Sequence, residues 1–211
     1  MTVKNIFCVG RNYVLHAKEL NNPVPESPLL FTKPTHALVV AQGQEITLPG
    51  GRGQIQFEVE YVIHIARRYE PGMSFEELVD KMALGIDFTL RDIQSQFKQK
   101  GYPWLLCKGF VNSAVITPWL PFAGLKETKE KDFSLEKNGR EVQRGNIKDM
   151  IFDLPTITEY TARHLGLDQG DIIFTGTPAG SGPVSDGDKL VFKWDDGEVG
   201  CCSIKLETNL Y

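Results

Sequence analysis

An alternation near the middle of the chain limits its folding more than any other feature. Ile55, Phe57, Val59, Tyr61, Ile63 and Ile65 alternate with Gln56, Glu58, Glu60 and His64. A period of two puts successive side chains on opposite faces, so the segment predicts a β-strand with one apolar face. Two hairpins point the same way: Phe133–Lys137 turning at Asn138-Gly139 into Arg140–Arg144, and Leu190–Trp194 turning near Asp196-Gly197 into Glu198–Leu206. Asn-Gly and Asp-Gly tolerate the positive φ angles of tight turns. Shorter strands are expected over Asn5–Val9, Leu29–Thr32, Ala83–Phe88 and Asp171–Thr175.

Helices are few. Ser74 and Glu77 form a capping box that opens a helix to about Met82. A second helix runs from Leu90 to Lys100 and stops at Gly101; a third lies between Asp153/Pro155 and Gly166. Asn12 to Leu20 reads as a short helix or ordered turn. Strands scattered among isolated helices, without strict βαβ alternation, predict an α+β fold with a mainly β core. No repeat, linker or low-complexity stretch divides the chain, so one domain over 1–211 is expected.

Composition excludes several classes of function. The formal net charge of −4, with no basic stripe, argues against nucleic-acid binding. No apolar run approaches the roughly 18 residues needed to cross a bilayer, and the N-terminus lacks a signal-peptide pattern. Cys8, Cys107, Cys201 and Cys202 form no C-x-x-C pair, which predicts reduced thiols in a cytoplasmic protein and no zinc bound through cysteine.

Several charged residues are candidates for chemistry. Glu58 and Glu60 leave the same face of their strand, which is either a solvated polar face or a cation site. Asp87 lies in the otherwise uncharged run Leu84–Thr89, where a buried carboxylate needs a partner or a metal. Three oxygen ligands without Cys or His suit a hard cation, Mg²⁺ or Mn²⁺. Arg91 and Gln94 share a helix face and can bind a carboxylate or simply face water. Lys108, in Trp104–Phe110, either snorkels to the surface or serves a site. His16 and Glu19, three apart, form either a surface contact or a dyad able to deprotonate water. The Gly/Pro-rich stretch Thr175–Pro183 is a structural turn or an anion-holding loop; without a Gly-Lys-Ser/Thr ending it does not support nucleotide binding.

Together these residues resemble the fumarylacetoacetate hydrolase family, in its short branch of acylpyruvate hydrolases and oxaloacetate decarboxylases. The matching elements are Gly10-Arg11-Asn12-Tyr13-x-x-His16-x-x-Glu19, Phe31-x-Lys33-Pro34, Glu58-x-Glu60, Asp87-x-x-x-Arg91-Asp92-x-Gln94, Lys108-x-Phe110 and Thr175-Gly176-Thr177-Pro178, in family order. The resemblance implies a mixed β-sandwich roll with a few short helices, and a homodimer. It implies Mg²⁺ or Mn²⁺ on Glu58, Glu60 and Asp87, a water-activating His16–Glu19 dyad on a lid, and Lys108 as a further catalytic residue. Arg11, Lys33, Arg91, Gln94 and Thr177 are then substrate-binding. The implied activity is C–C bond cleavage in a small 2-oxo acid, by acylpyruvate hydrolysis or oxaloacetate decarboxylation, through a metal-stabilised pyruvate enolate. An isomerase or tautomerase of unsaturated oxo-dicarboxylates or oxaloacetate is the alternative, and a non-catalytic oxo-acid-binding module a remote one. Leu15 stands where relatives often carry an acidic residue.

Overall fold

The Ile55–Ile65 alternation is extended, but it breaks at Glu58 into strands Ile55–Phe57 and Val59–Ile65, which belong to different sheets. The break is patched from outside the strand. Val59 N donates to Gln143 Oε1 (2.8 Å), and the Thr177 hydroxyl donates to Val59 O (2.8 Å). The computed structural model describes residues 2–208, so positions 1 and 209–211 of the expected 1–211 domain lie outside the described residues.

Val59–Ile65 sits at the centre of an eight-stranded sheet. The spatial order is Leu29–Lys33, Ile6–Gly10, Ile172–Phe174, Val59–Ile65, Val79–Asp87, Ala114–Ile116 and Leu38–Val40, with Leu120–Pro121 beside Val79–Asp87. Its first and last strands are separated in sequence only by residues 34–37. Lys33 to Leu38 can reach at most about 18 Å. Seven strands laid flat would place those edges about 29 Å apart. The sheet therefore rolls. Its inner face is lined by Ile6, Cys8, Ala37, Val62, Ala83, Ala114, Ile116, Ile172 and Phe174. Small residues permit this curvature: a Cβ on Gly85 would lie 2.6 Å from Phe174 and 2.8 Å from Val62.

A five-stranded sheet packs against the outer face in the order Arg140–Gly145, Phe133–Lys137, Lys189–Trp194, Gly197–Glu207, Glu45–Pro49. Gly182–Pro183, Ile55–Phe57 and Thr89–Leu90 form a small third sheet. The α+β, mainly β architecture is as expected.

Several local expectations need correction. The Ser74–Glu77 capping box forms, but its helix stops at Leu78, and Val79 begins a nine-residue strand rather than a helix to Met82. Ladder bonds to Val59–Ile65 outcompete a one-turn helix there. The second hairpin turns on Asp195-Asp196, with positive φ at Asp195, because Trp194 pairs directly with Gly197. Glu58, Glu60 and His64 do not form a solvated face; they are 4%, 2% and 1% exposed. Helix Arg91–Lys100 ends at Gly101 as expected, and Asp153 caps helix Leu154–Leu165 through Thr156 N. Strands Leu38–Val40 and Ala114–Ile116 are too short to read from sequence, and Glu45–Pro49, which does alternate, is a further strand beyond those expected.

Candidate active site

The inner face of the roll ends in charge. Strand Val59–Ile65 carries Glu60, the break before it carries Glu58, and Asp87 terminates the adjacent strand. The backbone closes this corner, since Asp87 N donates to Glu58 O (2.9 Å). One oxygen from each of the three carboxylates lies within 4.8 Å of the others.

Two lysines face this cluster. Lys108 ends the one-turn helix Leu105–Lys108, whose pattern is inverted: Leu105 and Leu106 are 52% and 59% exposed, whereas Lys108 is 3% exposed. It is buried rather than snorkelling. Its ammonium donates to Glu58 Oε2 (2.7 Å), Thr89 Oγ1 (2.6 Å) and Asp87 Oδ2. Lys33, also buried, lies 2.7 Å from Asp87 Oδ1 but outside hydrogen-bond direction, leaving that oxygen without a hydrogen bond. Lys33 donates instead to Ser113 Oγ and to the carbonyls of Phe88 and Lys108. It braces Asp87 from behind and is not among the residues lining the cleft.

Opposing surroundings split the two glutamates. Burial works against ionisation of Glu58, but Lys108 and Arg91 outweigh it and hold its carboxyl well below the usual range. Glu60 is less well compensated. Burial, then repulsion by Asp87 and Glu58, pushes it well above that range, only partly relieved by the Gly176 N–H donating to Oε2 (2.7 Å) and by Lys108. For Lys108, Asp87 and Glu58 overcome burial and raise the amine's pKa.

Arg91 is committed to protein partners. It donates to Gln56 Oε1 (2.7 Å), Gln94 Oε1 (2.6 Å) and Glu58 Oε1. It therefore positions Glu58 rather than presenting a free guanidinium. Because Arg91 fixes Gln94 Oε1, the Gln94 NH₂ group is turned away from it, and Gln94 lines the cleft.

His16 lies on helix Val14–Glu19, 5% exposed. Its Nδ1 is 3.1 Å from Glu19 Oε2, and its Nε2 is 3.8 Å from Glu58 Oε1. An ionised carboxylate only accepts, so the proton belongs on Nδ1, and Nε2 is left with its lone pair towards the cluster. Glu19 also accepts from Gly180 N (3.2 Å), tying the helix to the Thr175–Pro183 loop. That loop is anchored on both sides. Gln143 Nε2 donates to Thr177 Oγ1 and to Pro178 O (both 2.9 Å). Asn12 Nδ2 donates to Thr175 O (2.9 Å), and Gly176, at φ +103°, leaves room that a Cβ would close at 2.6 Å from Asn12.

One cleft gathers these groups: Arg11, His16, Glu58, Glu60, Asp87, Arg91, Gln94, Lys108 and Thr177 all line it. Sequence reasoning did not single out Asn22, Lys98, Trp104 or Gln143. Lys98 was legible, since it shares a helix face with Arg91 and Gln94. Gln143 was not, because it arrives from the other sheet.

The roll and its acidic corner define a known class. The chain belongs to the fumarylacetoacetate hydrolase family, whose C-terminal-domain profile matches residues 5–206. It is 39% identical over 189 residues to the mitochondrial oxaloacetate tautomerase FAHD1 of Oryza sativa subsp. japonica, covering 88% of this chain and 82% of that protein. The oxaloacetate tautomerase YcgM of Escherichia coli (strain K12) is 36% identical over 198 residues, covering 92% and 89%. Among solved structures, fumarylpyruvate hydrolase from Pseudomonas aeruginosa in complex with Mn²⁺ and pyruvate superposes with a TM-score of 0.89 at 34% identity, covering 97% of this chain and 91% of that one. These relatives are enzymes of small oxo acids.

The corner fits a hard divalent cation. Its donors are all oxygen, and they converge in a buried setting.

Proposed function

We propose that this chain is a divalent-metal-dependent enzyme that interconverts the keto and enol forms of oxaloacetate, with C–C cleavage of an acylpyruvate as the second reading. The sequence alone ranks cleavage first. The tautomerases among its relatives reverse that order, and the fumarylpyruvate hydrolase supports the second reading. The observation that carries the proposal is the convergence of Glu58, Glu60 and Asp87 with Lys108 and the His16–Glu19 pair in one buried cleft.

Glu58, Glu60 and Asp87 would hold Mg²⁺ or Mn²⁺. When bound, the cation polarises a chelating 2-oxo acid and offsets charge developing at its C2 oxygen. The protein's own groups do the rest. His16 Nε2 accepts the proton, from C3 of oxaloacetate in tautomerisation or from water in acylpyruvate hydrolysis. Glu19 fixes the imidazole tautomer, and its bond to Gly180 keeps the helix seated over the cleft and water out. Lys108 holds the carboxylates together and supplies positive charge beside the reacting oxygens. Gln94 turns its amide donors towards the ligand. A binding module without catalysis would need no such dyad.

The test is one panel with Mg²⁺. Loss of enol absorbance from oxaloacetate faster than in buffer, without matching pyruvate release, supports tautomerisation. Pyruvate release from oxaloacetate or acetylpyruvate moves the assignment to cleavage. No metal-dependent turnover of either sinks both. For assembly we propose a homodimer, as the family resemblance implies; a monomer mass in light scattering overturns that.

A further inference from the structure

Six buried side-chain polar atoms lack a hydrogen-bond partner among the described residues, and three of them belong to residues lining the cleft just described. Of these, Asp87 Oδ1 is already ion-paired with the Lys33 ammonium at 2.7 Å, which leaves two. Arg11 Nε and Asn22 Nδ2 are donors, on half-buried residues nearer solvent. Buried polar groups are normally satisfied, so two unpartnered donors in one cleft point to a ligand with acceptor oxygens.

Lys98 adds a cation to the same wall. It lies seven residues beyond Arg91 on one helix face, half-buried, with its amine 5.6 Å from the centre of the Trp104 ring. Burial, then repulsion by Arg11 and Arg91, pulls that amine down to about 8. Neither Arg11 nor Lys98 forms a salt bridge with a carboxylate among the described residues, although both lie in a cleft containing three carboxylates. The protein also holds Arg11 in place at a conformational cost. Arg11 has a φ of +59°, in the left-handed region that side chains disfavour. Asn12 locks the turn through Phe152 and Thr175. Charge points the same way. The cleft is lined by four cations (Arg11, Arg91, Lys98, Lys108) and three carboxylates (Glu58, Glu60, Asp87), an excess of one before any divalent cation is counted.

We infer that Arg11, Lys98 and the Asn22 amide form a subsite for a second carboxylate, so that the cleft selects dicarboxylic 2-oxo acids over monocarboxylic ones. The inference rests on the proposed function, in which the first carboxylate and the C2 oxygen face the acidic corner. Oxaloacetate then differs from pyruvate by the one group this subsite receives.

The test compares malate with lactate, the inert 2-hydroxy counterparts of oxaloacetate and pyruvate, binding to the Mg²⁺-loaded protein by calorimetry. Wild type should bind malate at least about tenfold more tightly, the scale of one charge-assisted contact. Lys98→Gln should cut that ratio about tenfold, and Lys98→Arg should keep most of it. Arg11→Gly is a second probe that suits the backbone, because glycine adopts φ near +59° freely. It too should lower the ratio. An unchanged ratio in folded Lys98→Gln and Arg11→Gly proteins overturns the subsite while leaving the proposed function standing. If neither ligand binds in a metal-dependent way and oxaloacetate is not turned over, the proposed function fails first, and the subsite with it.

Discussion

The two large sheets use the same strand alternation to opposite ends. In the five-stranded sheet, inward positions such as Phe133, Leu135, Leu190 and Phe192 are buried, and charges pair on the rim, as Lys193 does with Glu136 and Arg144 with Glu141. In the rolled sheet both faces are covered, and the inner one ends with Glu58, Glu60, Asp87 and Lys33 all buried. Exposed ion pairs contribute little to stability, whereas buried charges must be fully matched or they destabilise the fold. The rolled sheet therefore holds the candidate site, and the five-stranded sheet supplies support at ordinary cost. Gln143 shows the division of labour: it stands on the supporting sheet and holds Val59 of the other sheet and Thr177 of the neighbouring loop in place.

Substitutions on the two sheets can break this contrast. The largest effect belongs to Asp87→Ala, which should abolish metal-dependent turnover and divalent-cation binding, with EDTA mimicking it reversibly in wild type; full activity would remove the acidic corner from the mechanism. His16→Ala should slow proton-transfer turnover by about 10²–10⁴-fold, the range for removal of a general base. Oxaloacetate decarboxylation should fall less, because it needs no water nucleophile. Equal loss in every reaction would assign the pair a wider role. Lys33→Met leaves Asp87 short of one cation and should destabilise the fold by about 3–5 kcal/mol in urea titrations run with EDTA. A loss below about 1 kcal/mol would place the roll on the same footing as its neighbour. On the supporting sheet, Gly139→Ala at φ +78° should cost about 1 kcal/mol. Lys193→Ala should stay within about 1 kcal/mol, visible only as a small change in melting temperature.

The same contrast governed what could be read beforehand. The supporting sheet's hairpins were legible because an amphipathic strand and an Asn-Gly turn leave a local signature, and only the Asp195-Asp196 turn was displaced by one residue. The roll was harder. Its inner strands are buried on both faces, so Glu58, Glu60 and His64 resemble a polar face when they are interior. The Val79–Met82 stretch follows a sound helix signal yet extends as strand, because its partner lies elsewhere in the sequence. His64 likewise finds its partner, Asp80, only across the ladder. The candidate residues themselves were legible through their motifs, but their division of tasks was not. Arg91 contacts Glu58, and Lys33 contacts Asp87, in ways no motif displays, because hydrogen-bond direction and burial are properties of the folded chain.

The position of one strand also sets when the site can exist. Ile172–Phe174 lies between Ile6–Gly10, parallel to it, and Val59–Ile65, antiparallel. During synthesis the ribosome releases Ile6–Gly10 first, but that strand has no bridge to the central ladder until residue 174 has emerged. Arg11 and His16, which follow directly from it, are therefore tied to the Glu58–Asp87 corner by strand pairing only late in translation. Until then the nascent chain must keep the open flank of Val59–Ile65 from pairing with another molecule. A truncation ending before Ile172 should accordingly yield no partial enzyme and should be prone to aggregation.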